Sequence, residues 1–270
     1  MRRKTFNADP PWHSVEEAES SRKLRERIHR SERENRFLHK DSDQRKVMEE
    51  VFDRATLLAV EELGQKHHLA ELHGVVASGK EARVYYGEAP DGSPRAVKIY
   101  LTSSAEFKKR LRYIAGDRRF SRLPSSSREI IRLWVQKEYK NLETATAAGV
   151  RVPRPYTFLK NIIVMEYVGD PPAPAPTFAE VDVTDDDARW TFEAIKDLYR
   201  KAGLIHADLS EYNIFKNGEE RLLFDLGSAV LTSHPQADEF LRRDATNMVR
   251  FFRKRGIFKK DTDSWLEDLR

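Results

Sequence analysis

The chain has 270 residues, of which 39% are hydrophobic and 34% charged, and its formal net charge is +4. This balance predicts a folded globular protein with a heavily charged surface, long enough for one two-lobed domain or two small domains. Cysteine is absent, which excludes disulfides, thiol catalysis and thiolate metal sites. The start, Met1-Arg2-Arg3-Lys4, lacks a following apolar segment, and no stretch is long enough to span a bilayer, so we expect a cytoplasmic protein without membrane contact.

Residues 1–70 are predicted to form a helical extension, because helix formers dominate from about Ser14 to Gln65 and glycine and proline are rare there. The first half is rich in arginine and glutamate, which is typical of a solvated helix or an interaction arm. The second half carries an apolar stripe that predicts a packed helix. The stripe consists of Val47, Val51, Ala55, Leu58 and Leu63.

From about His73 the pattern changes to strands, which we predict at residues 74–77, 82–88 and 95–100. Residues 74–80 also match the start of a Walker P-loop. Glu81 argues against that motif, because it offers no hydroxyl for magnesium, and the residues after it have strand character instead of helix character. We therefore predict a hairpin whose turn covers a phosphate, since its glycine permits close approach and its lysine adds positive charge. The turn residues are Ser78, Gly79, Lys80 and Glu81.

Lys98 interrupts the apolar third strand of this group. An isolated lysine is usually a surface residue, but a lysine on the third strand after such a turn is where protein kinases bind the α- and β-phosphates of ATP. A lysine in that position needs a carboxylate partner. The helix predicted at residues 128–148 offers Glu138, with Glu143 as the alternative, because the pattern alone does not determine which helix face turns inward.

The most basic stretch of the chain is predicted to form a flexible loop at residues 108–132. Aromatic residues are interleaved with its cations, so it predicts either a solvated surface or a contact with RNA phosphates and bases. Its cations are Lys108, Lys109, Arg110, Arg112, Arg118, Arg119, Arg122, Arg128 and Arg132. Three consecutive serines in the loop are a predicted target of self-phosphorylation, namely Ser125, Ser126 and Ser127.

A buried strand is predicted at residues 162–168, and the proline-rich residues 170–176 predict a stiff linker between two lobes. An extended hinge offers backbone carbonyl and amide groups to a ligand. We predict that the backbone at Glu166 and Val168 binds the edge of an adenine ring.

The segment from His206 to Asn213, followed by Asp225, contains the strongest functional signal. A hairpin predicted at residues 214–224 would place Asn213 and Asp225 on neighbouring strand ends, where an amide oxygen and a carboxylate suit Mg²⁺, with Mn²⁺ as the alternative. Asp208 would lie on the adjacent loop, near enough to accept a proton from a hydroxyl that attacks a metal-bound phosphate. This arrangement predicts phosphoryl transfer.

Two further helices are predicted, at residues 187–202 and 238–255. The second is a basic element that also has apolar residues available for the core. Its cations are Arg242, Arg243, Arg250, Arg253, Lys254 and Arg255.

With these motifs the chain resembles the RIO family of atypical protein kinases, most closely its type-one subgroup, over residues 47–257. The resemblance is carried by Ser-Gly-Lys-Glu-Ala-x-Val-Tyr at 78–85, Val-Lys-Ile-Tyr at 97–100, His-Ala-Asp-Leu-Ser-Glu-Tyr-Asn at 206–213 and Phe-Leu-Arg-Arg-Asp at 240–244. It implies an α+β, two-lobed protein-kinase-like fold. In that fold a sheet-rich lobe at residues 71–167 follows the N-terminal helical extension and precedes a reduced C-terminal lobe at residues 168–270.

The resemblance also implies an ATP-dependent serine/threonine kinase or ATPase that acts in maturation of the small ribosomal subunit, on a pre-40S or 30S-type particle. It implies Asp208 as the catalytic aspartate, Asn213 and Asp225 as metal ligands and Lys98 as the phosphate lysine, with transient phosphorylation of Asp225. Ser228 stands where the family usually has glutamine, so any role of that glutamine does not carry over.

Only 45 residues follow Asp225, too few for the peptide-docking helices of ordinary protein kinases. A large substrate or plain ATP hydrolysis is therefore favoured over recognition of a linear peptide. Two alternatives stay open: an assembly scaffold that uses nucleotide as a switch and binds pre-rRNA, and a small-molecule kinase with a similar catalytic loop. The complete set of lysine, aspartates and asparagine argues against a catalytically dead scaffold, and the sequence shows no acidic or aromatic pocket for a small alcohol.

Overall fold

The structure is a computed structural model that describes residues 52–102, 110–120, 126–257 and 261–269. Most of the predicted N-terminal extension, including Val47 and Val51, lies outside the described residues. So do residues 108, 109 and 121–125 of the predicted basic loop, which include Lys108, Lys109, Arg122 and Ser125.

Helix α1 (Arg54–Gln65) is the described part of that extension. Asp53 caps it, because its carboxylate accepts a hydrogen bond from the Thr56 amide at 2.8 Å. Leu57, Val60 and Leu63 are buried against the adjacent sheet. The predicted stripe is therefore shifted: Leu63 is buried, but Ala55 is exposed in the first turn of the helix.

A five-stranded antiparallel sheet follows, in the spatial order β1-β2-β3-β5-β4. The strands are β1 (Glu71–Ser78), β2 (Ala82–Glu88), β3 (Pro94–Tyr100), β4 (Pro155–Leu159) and β5 (Ile162–Glu166). The three strands predicted first are present, and the residues after Glu81 form a strand, which excludes the P-loop. Strand β4 was not predicted, because its sequence shows no apolar alternation. In the structure all of its residues are partly buried, so no single face of the strand stands out.

Helix α2 (Ser127–Ala147) packs beside β4 and β5. It begins with a capping box, in which Ser126 and Glu129 each satisfy the other's backbone amide. Its inner face includes Trp134, Val135 and Glu138, all buried. The carboxylate of Glu138 is thus carried to the underside of the sheet by a buried helix face that also includes the polar residues Lys137 and Asn141.

The second half of the chain packs helices around three small two-stranded sheets. The helices are α3 (Asp185–Arg200), α4 (Ala237–Lys254) and α5 (Thr262–Leu269). The strand pairs are β6 (Gly169–Asp170) with β7 (Ala173–Pro174), β8 (Leu204–Ile205) with β11 (Val230–Leu231), and β9 (Ile214–Asn217) with β10 (Glu220–Leu223). Among the helices of the described ranges, none is long and apolar enough to cross a bilayer.

The prediction of a plain stiff linker at residues 170–176 is wrong. The segment folds into the β6–β7 hairpin, in which Gly169 pairs with Pro174, and the Val168 carbonyl accepts the Ala175 amide at 2.8 Å. Proline has no backbone N–H to donate, but an edge position does not require one, so proline is compatible with a short strand here. The lobe boundaries at residues 70/71 and 167/168 stay predictions, although the five-stranded sheet lies wholly between them.

Candidate active site

The β9–β10 hairpin brings Asn213 and Asp225 together, as its sequence predicts. Ile214 pairs with Leu223, and the Phe224 amide donates to the Asn213 carbonyl at 3.0 Å. The Asn213 side chain donates its Nδ2 to the Asp208 carbonyl at 2.7 Å. This bond orients the amide and ties the loop of Asp208 to the hairpin that carries Asp225.

Asp187 fastens this hairpin to α3. Its buried carboxylate accepts hydrogen bonds from Lys216 Nζ at 2.8 Å and Arg221 Nε at 2.6 Å, while also capping the helix through Thr184. Loss of solvation acts to raise the pKa of Asp187, but the two cations outweigh it and hold the pKa at about 2. Sequence analysis missed this residue, because its partners lie 29 and 34 positions away.

Lys98 lies between two carboxylates in the cleft beneath the sheet. Its Nζ is 2.7 Å from Glu138 Oε1 and 2.9 Å from Asp225 Oδ1, and Tyr100 donates to the second oxygen of Glu138. Loss of solvation acts to lower the pKa of Lys98, but Asp225 and Glu138 raise it well above its ordinary value. The lysine is therefore a fixed positive charge between the sheet and the β9–β10 hairpin.

The two predicted carboxylate partners of Lys98 give a matched pair for mutation. Glu138 is buried and accepts a hydrogen bond from Lys98, whereas Glu143 is exposed on another face of α2. We predict that Glu138→Gln weakens ATP binding by about tenfold or more, because Lys98 loses one of its two anchoring charges. Glu143→Gln should leave affinity unchanged. Displacement of a fluorescent nucleotide measures both, and equal affinities for the two variants would contradict the assignment.

Asp244, on α4, holds the backbone on both sides of Asp208. One carboxylate oxygen accepts the Ala207 amide at 2.7 Å and the other accepts the Leu209 amide at 3.0 Å. Ala207 has φ of 64°, an uncommon conformation for a residue with a side chain, and these bonds compensate for its cost. The motif at 240–244 contains Asp244, but nothing in the local sequence indicates this contact across 37 residues.

Burial raises the pKa of Asp244 from 3.8 to about 6, although His206 and Arg243 oppose the shift. The folded chain therefore retains a proton that the unfolded chain has released, so the contribution of this carboxyl to the free energy of unfolding falls as pH rises from about 4 to 6. The fall corresponds to roughly 3 kcal/mol. We predict that Asp244→Asn, which cannot ionise, lacks this fall.

Urea denaturation of parent and Asp244→Asn at about pH 4 and about pH 7 checks this prediction. Comparing the two chains removes the contributions of other carboxylates, such as Asp187, whose lowered pKa acts in the opposite direction. A stability difference that is the same at both pH values would contradict the prediction.

Asp208 itself is exposed. Loss of solvation and repulsion by the nearby Asp225 raise the pKa of Asp208. Its attraction to His206 and Arg243 acts to lower that pKa but does not outweigh the other two effects. Asp225 shows the opposite balance, because Lys98 outweighs desolvation and lowers its pKa. One carboxylate is thus the more basic and the other the more firmly ionised, which suits a proton acceptor beside a metal ligand.

The turn that is predicted to cover a phosphate is exposed at Ser78, Gly79 and Lys80 and partly buried at Glu81. It is held closed by the Gly79 amide, which donates to the Ala82 carbonyl at 3.0 Å, and by Arg83, which donates to the Gly79 carbonyl. Arg83 was not predicted to have this role.

At the predicted adenine position, the Glu166 carboxylate is occupied by Arg151, with two contacts of 2.8 and 2.7 Å. Its side chain is therefore a structural anion, and its backbone amide donates to the Arg154 carbonyl at 2.8 Å, so adenine recognition at Glu166 would rest on its carbonyl. The Val168 carbonyl is also used, by the β6–β7 hairpin, so adenine recognition at that residue would rest on its amide.

A family model described as the RIO domain matches residues 83–265, which is more than half of the chain. The chain belongs to the RIO family. The RIO-type serine/threonine-protein kinase Rio1 of Haloferax volcanii is 41% identical over 237 residues, which cover 87% of this chain and 81% of that protein. Rio1 of Methanocaldococcus jannaschii is 38% identical, with coverages of 84% and 77%. Human serine/threonine-protein kinase RIO1 is 32% identical over 81% of this chain and 39% of its own length.

The solved structure of Rio2 kinase from Chaetomium thermophilum, in its ADP/Mg²⁺-phosphoaspartate complex, superposes with a TM-score of 0.60 at 20% identity. The match covers 79% of this chain and 66% of the Rio2 chain. At this identity the likeness concerns the fold alone, and it confirms the predicted α+β, kinase-like architecture. The names of the relatives confirm the predicted type-one RIO resemblance and the prediction of a serine/threonine kinase.

Not all of the basic residues predicted to contact RNA face outward in this RIO domain. Arg110 pairs with Glu81, Arg119 binds Asp117 at 2.7 Å, and Arg243 donates to the Ala207 carbonyl. These three side chains already have partners within the domain, which a count of charges does not reveal. Among the described cations of loop 108–132 and of residues 238–255, the exposed ones are Arg112, Arg118, Arg128, Arg132, Arg242, Arg250, Arg253, Lys254 and Arg255.

The predicted self-phosphorylation sites Ser126 and Ser127 lie at the start of α2. Ser126 is exposed but already engaged as the helix cap, with its hydroxyl 2.9 Å from Glu129. A phosphate there would sit at a helix N-terminus, where the backbone amides favour negative charge, yet it would meet the Glu129 carboxylate. The role of the serines stays a prediction.

Proposed function

We propose that this RIO-family chain transfers the terminal phosphoryl group of ATP to a serine or threonine hydroxyl. The observation that carries the proposal is the convergence of Lys98, Asp208, Asn213 and Asp225 on one cleft, with Lys98 2.9 Å from Asp225. A positively charged side chain, two oxygen donors and a carboxylate base are the parts that phosphoryl transfer requires.

The donor chemistry fits Mg²⁺, since an amide oxygen and a carboxylate are hard ligands of the kind this ion takes, and Mn²⁺ accepts the same set. Asn213 and Asp225 would hold the ion. When bound, the metal supplies positive charge that neutralises the triphosphate. The Rio2 protein in the solved structure is named as an ADP/Mg²⁺ complex, which supports this nucleotide and this ion for the present chain.

In the proposed mechanism Lys98, anchored by Glu138, positions the α- and β-phosphates below the turn at 78–81. Asp208 then accepts the proton of the attacking hydroxyl, and its raised pKa makes it a stronger base than an ordinary aspartate. Asp225 is a second proposed acceptor of the phosphoryl group, by analogy with the phosphoaspartate named for Rio2. Hydrolysis of such an intermediate would give net ATPase activity.

The proposed macromolecular partner is a small-subunit ribosomal particle, of pre-40S or 30S type, or its rRNA. The support is the exposed positive charge of the described part of loop 108–132 and of α4, since clustered arginines bind RNA phosphates. Binding through phosphates should weaken steeply as salt concentration rises.

An assay with radiolabelled ATP and Mg²⁺ tests the proposal, with purified chain alone, with small-subunit particles, and with a panel of small alcohols. Label in protein, or phosphate release stimulated by particles, is expected. Label in a small alcohol would favour the small-molecule kinase. Particle binding without any ATP cleavage would favour the scaffold. The charged residues of the cleft would then have no catalytic role.

A further inference from the structure

Arg110 joins three parts of the candidate active site. Its guanidinium forms an ion pair with Glu81, the last residue of the phosphate-covering turn. Its Nη1 lies 3.4 Å from the hydroxyl of Ser228, which follows the metal aspartate by three residues. Its Cζ lies 4.7 Å from the centre of the Trp134 ring on α2. This cation therefore belongs to the cleft and not to the RNA-binding surface predicted from the sequence.

The two elements that Arg110 bridges flank the place of the terminal phosphate. In the proposed function the turn at 78–81 covers the triphosphate, and Asp225 holds the metal that binds its end. A terminal phosphate between these elements would lie beside the guanidinium. We propose that Arg110 binds the terminal phosphate of ATP, an inference that rests on the proposed function.

The chemistry of the side chain suits this ligand. A guanidinium carries five N–H donors in a planar fork that matches phosphate oxygens, and the contacts with Glu81 and Ser228 use one donor each. Asp225 also attracts this cation: loss of solvation acts to lower the pKa of Arg110, but Glu81 and Asp225 together raise it. The same electrostatic attraction would act on a phosphate bound at Asp225 through the metal.

The pairing also explains why a turn that covers phosphates carries a glutamate. An unpaired carboxylate at position 81 would repel a triphosphate, whereas one paired with Arg110 is neutralised and orients the guanidinium towards the cleft. Lys98 and Arg110 would then act on different parts of the nucleotide. Lys98 would bind the α- and β-phosphates, which ATP and ADP share, and Arg110 would bind the phosphate that only ATP has.

This division gives a test based on two ligands. Calorimetric titration with a non-hydrolysable ATP analogue and with ADP, both in Mg²⁺, is carried out on the parent, Arg110→Gln and Arg112→Gln. We expect Arg110→Gln to weaken binding of the analogue by about tenfold, the effect of losing one charge-assisted contact, and to change ADP binding less than twofold. Arg112, two residues further on and exposed, is the matched control and should change neither affinity.

Equal losses for both ligands in Arg110→Gln would show that the arginine only supports the turn, and would overturn the proposal, as would unchanged affinity for both. Arg110→Lys provides the second variant, because it retains the charge but loses the fork; a loss confined to the ATP analogue is expected here too. Thermal denaturation verifies that each variant is folded. A parent chain that binds neither nucleotide would instead refute the proposed function.

Discussion

Asp208→Ala is expected to lower turnover by about two to four orders of magnitude while nucleotide affinity stays close to that of the parent, the usual consequence of losing a general base. Asp208 is exposed, and the bonds that shape its loop involve only backbone groups of that loop: the amides of its two neighbours donate to Asp244, and its own carbonyl accepts from Asn213. Removing the carboxylate therefore leaves those bonds, and the contact between Lys98 and Asp225, in place.

Steady-state ATP cleavage and ADP titration measure the two quantities separately. Asp186→Asn is a suitable control, because this carboxylate is exposed at the start of α3 and pairs only with a surface arginine among the contacts described. Turnover within threefold of the parent would remove Asp208 from the role of base. If the chain instead works as a scaffold, Asp208→Ala should leave binding and release of ribosomal particles unchanged.

The hairpin that carries the predicted metal ligands was predictable because its determinants are local. Residues 214–224 contain two short apolar strands and a turn, and antiparallel pairing then requires Asn213 and Asp225 to be neighbours. The partner of Lys98 was predictable only as a choice of two. Glu138 and Glu143 both lie on α2, and the decision depends on which face packs under the sheet, which is a property of the tertiary structure.

The anchors of the site were not predictable for the same reason. Asp187 reaches Lys216 and Arg221, and Asp244 reaches the loop around Asp208, each through contacts between residues far apart in the chain. A buried carboxylate in an amphipathic helix resembles a surface carboxylate until its neighbours are known. The basic composition of loop 108–132 led to the opposite error. Arg110 and Arg119 were predicted to be surface charges, but both form ion pairs within the domain.

Asp225→Asn is expected to abolish measurable turnover, and it should act through binding as well as chemistry. The substitution removes one negative charge from the predicted metal site and from Lys98, whose Nζ lies 2.9 Å from Asp225 Oδ1. We expect Mg²⁺-dependent ADP affinity to fall by about tenfold to a hundredfold, because a neutral amide is a much weaker ligand for this ion.

ADP binding in excess chelator separates this explanation from general damage to the cleft. Without the metal, the phosphates would lie near a carboxylate in the parent and near a neutral amide in the variant, so Asp225→Asn should bind metal-free ADP as well as the parent or better. Asp208→Ala, by contrast, should retain the Mg²⁺ dependence of the parent. A loss of ADP affinity in Asp225→Asn of equal size with and without Mg²⁺ would mean that Asp225 shapes the cleft through Lys98 and is not a metal ligand.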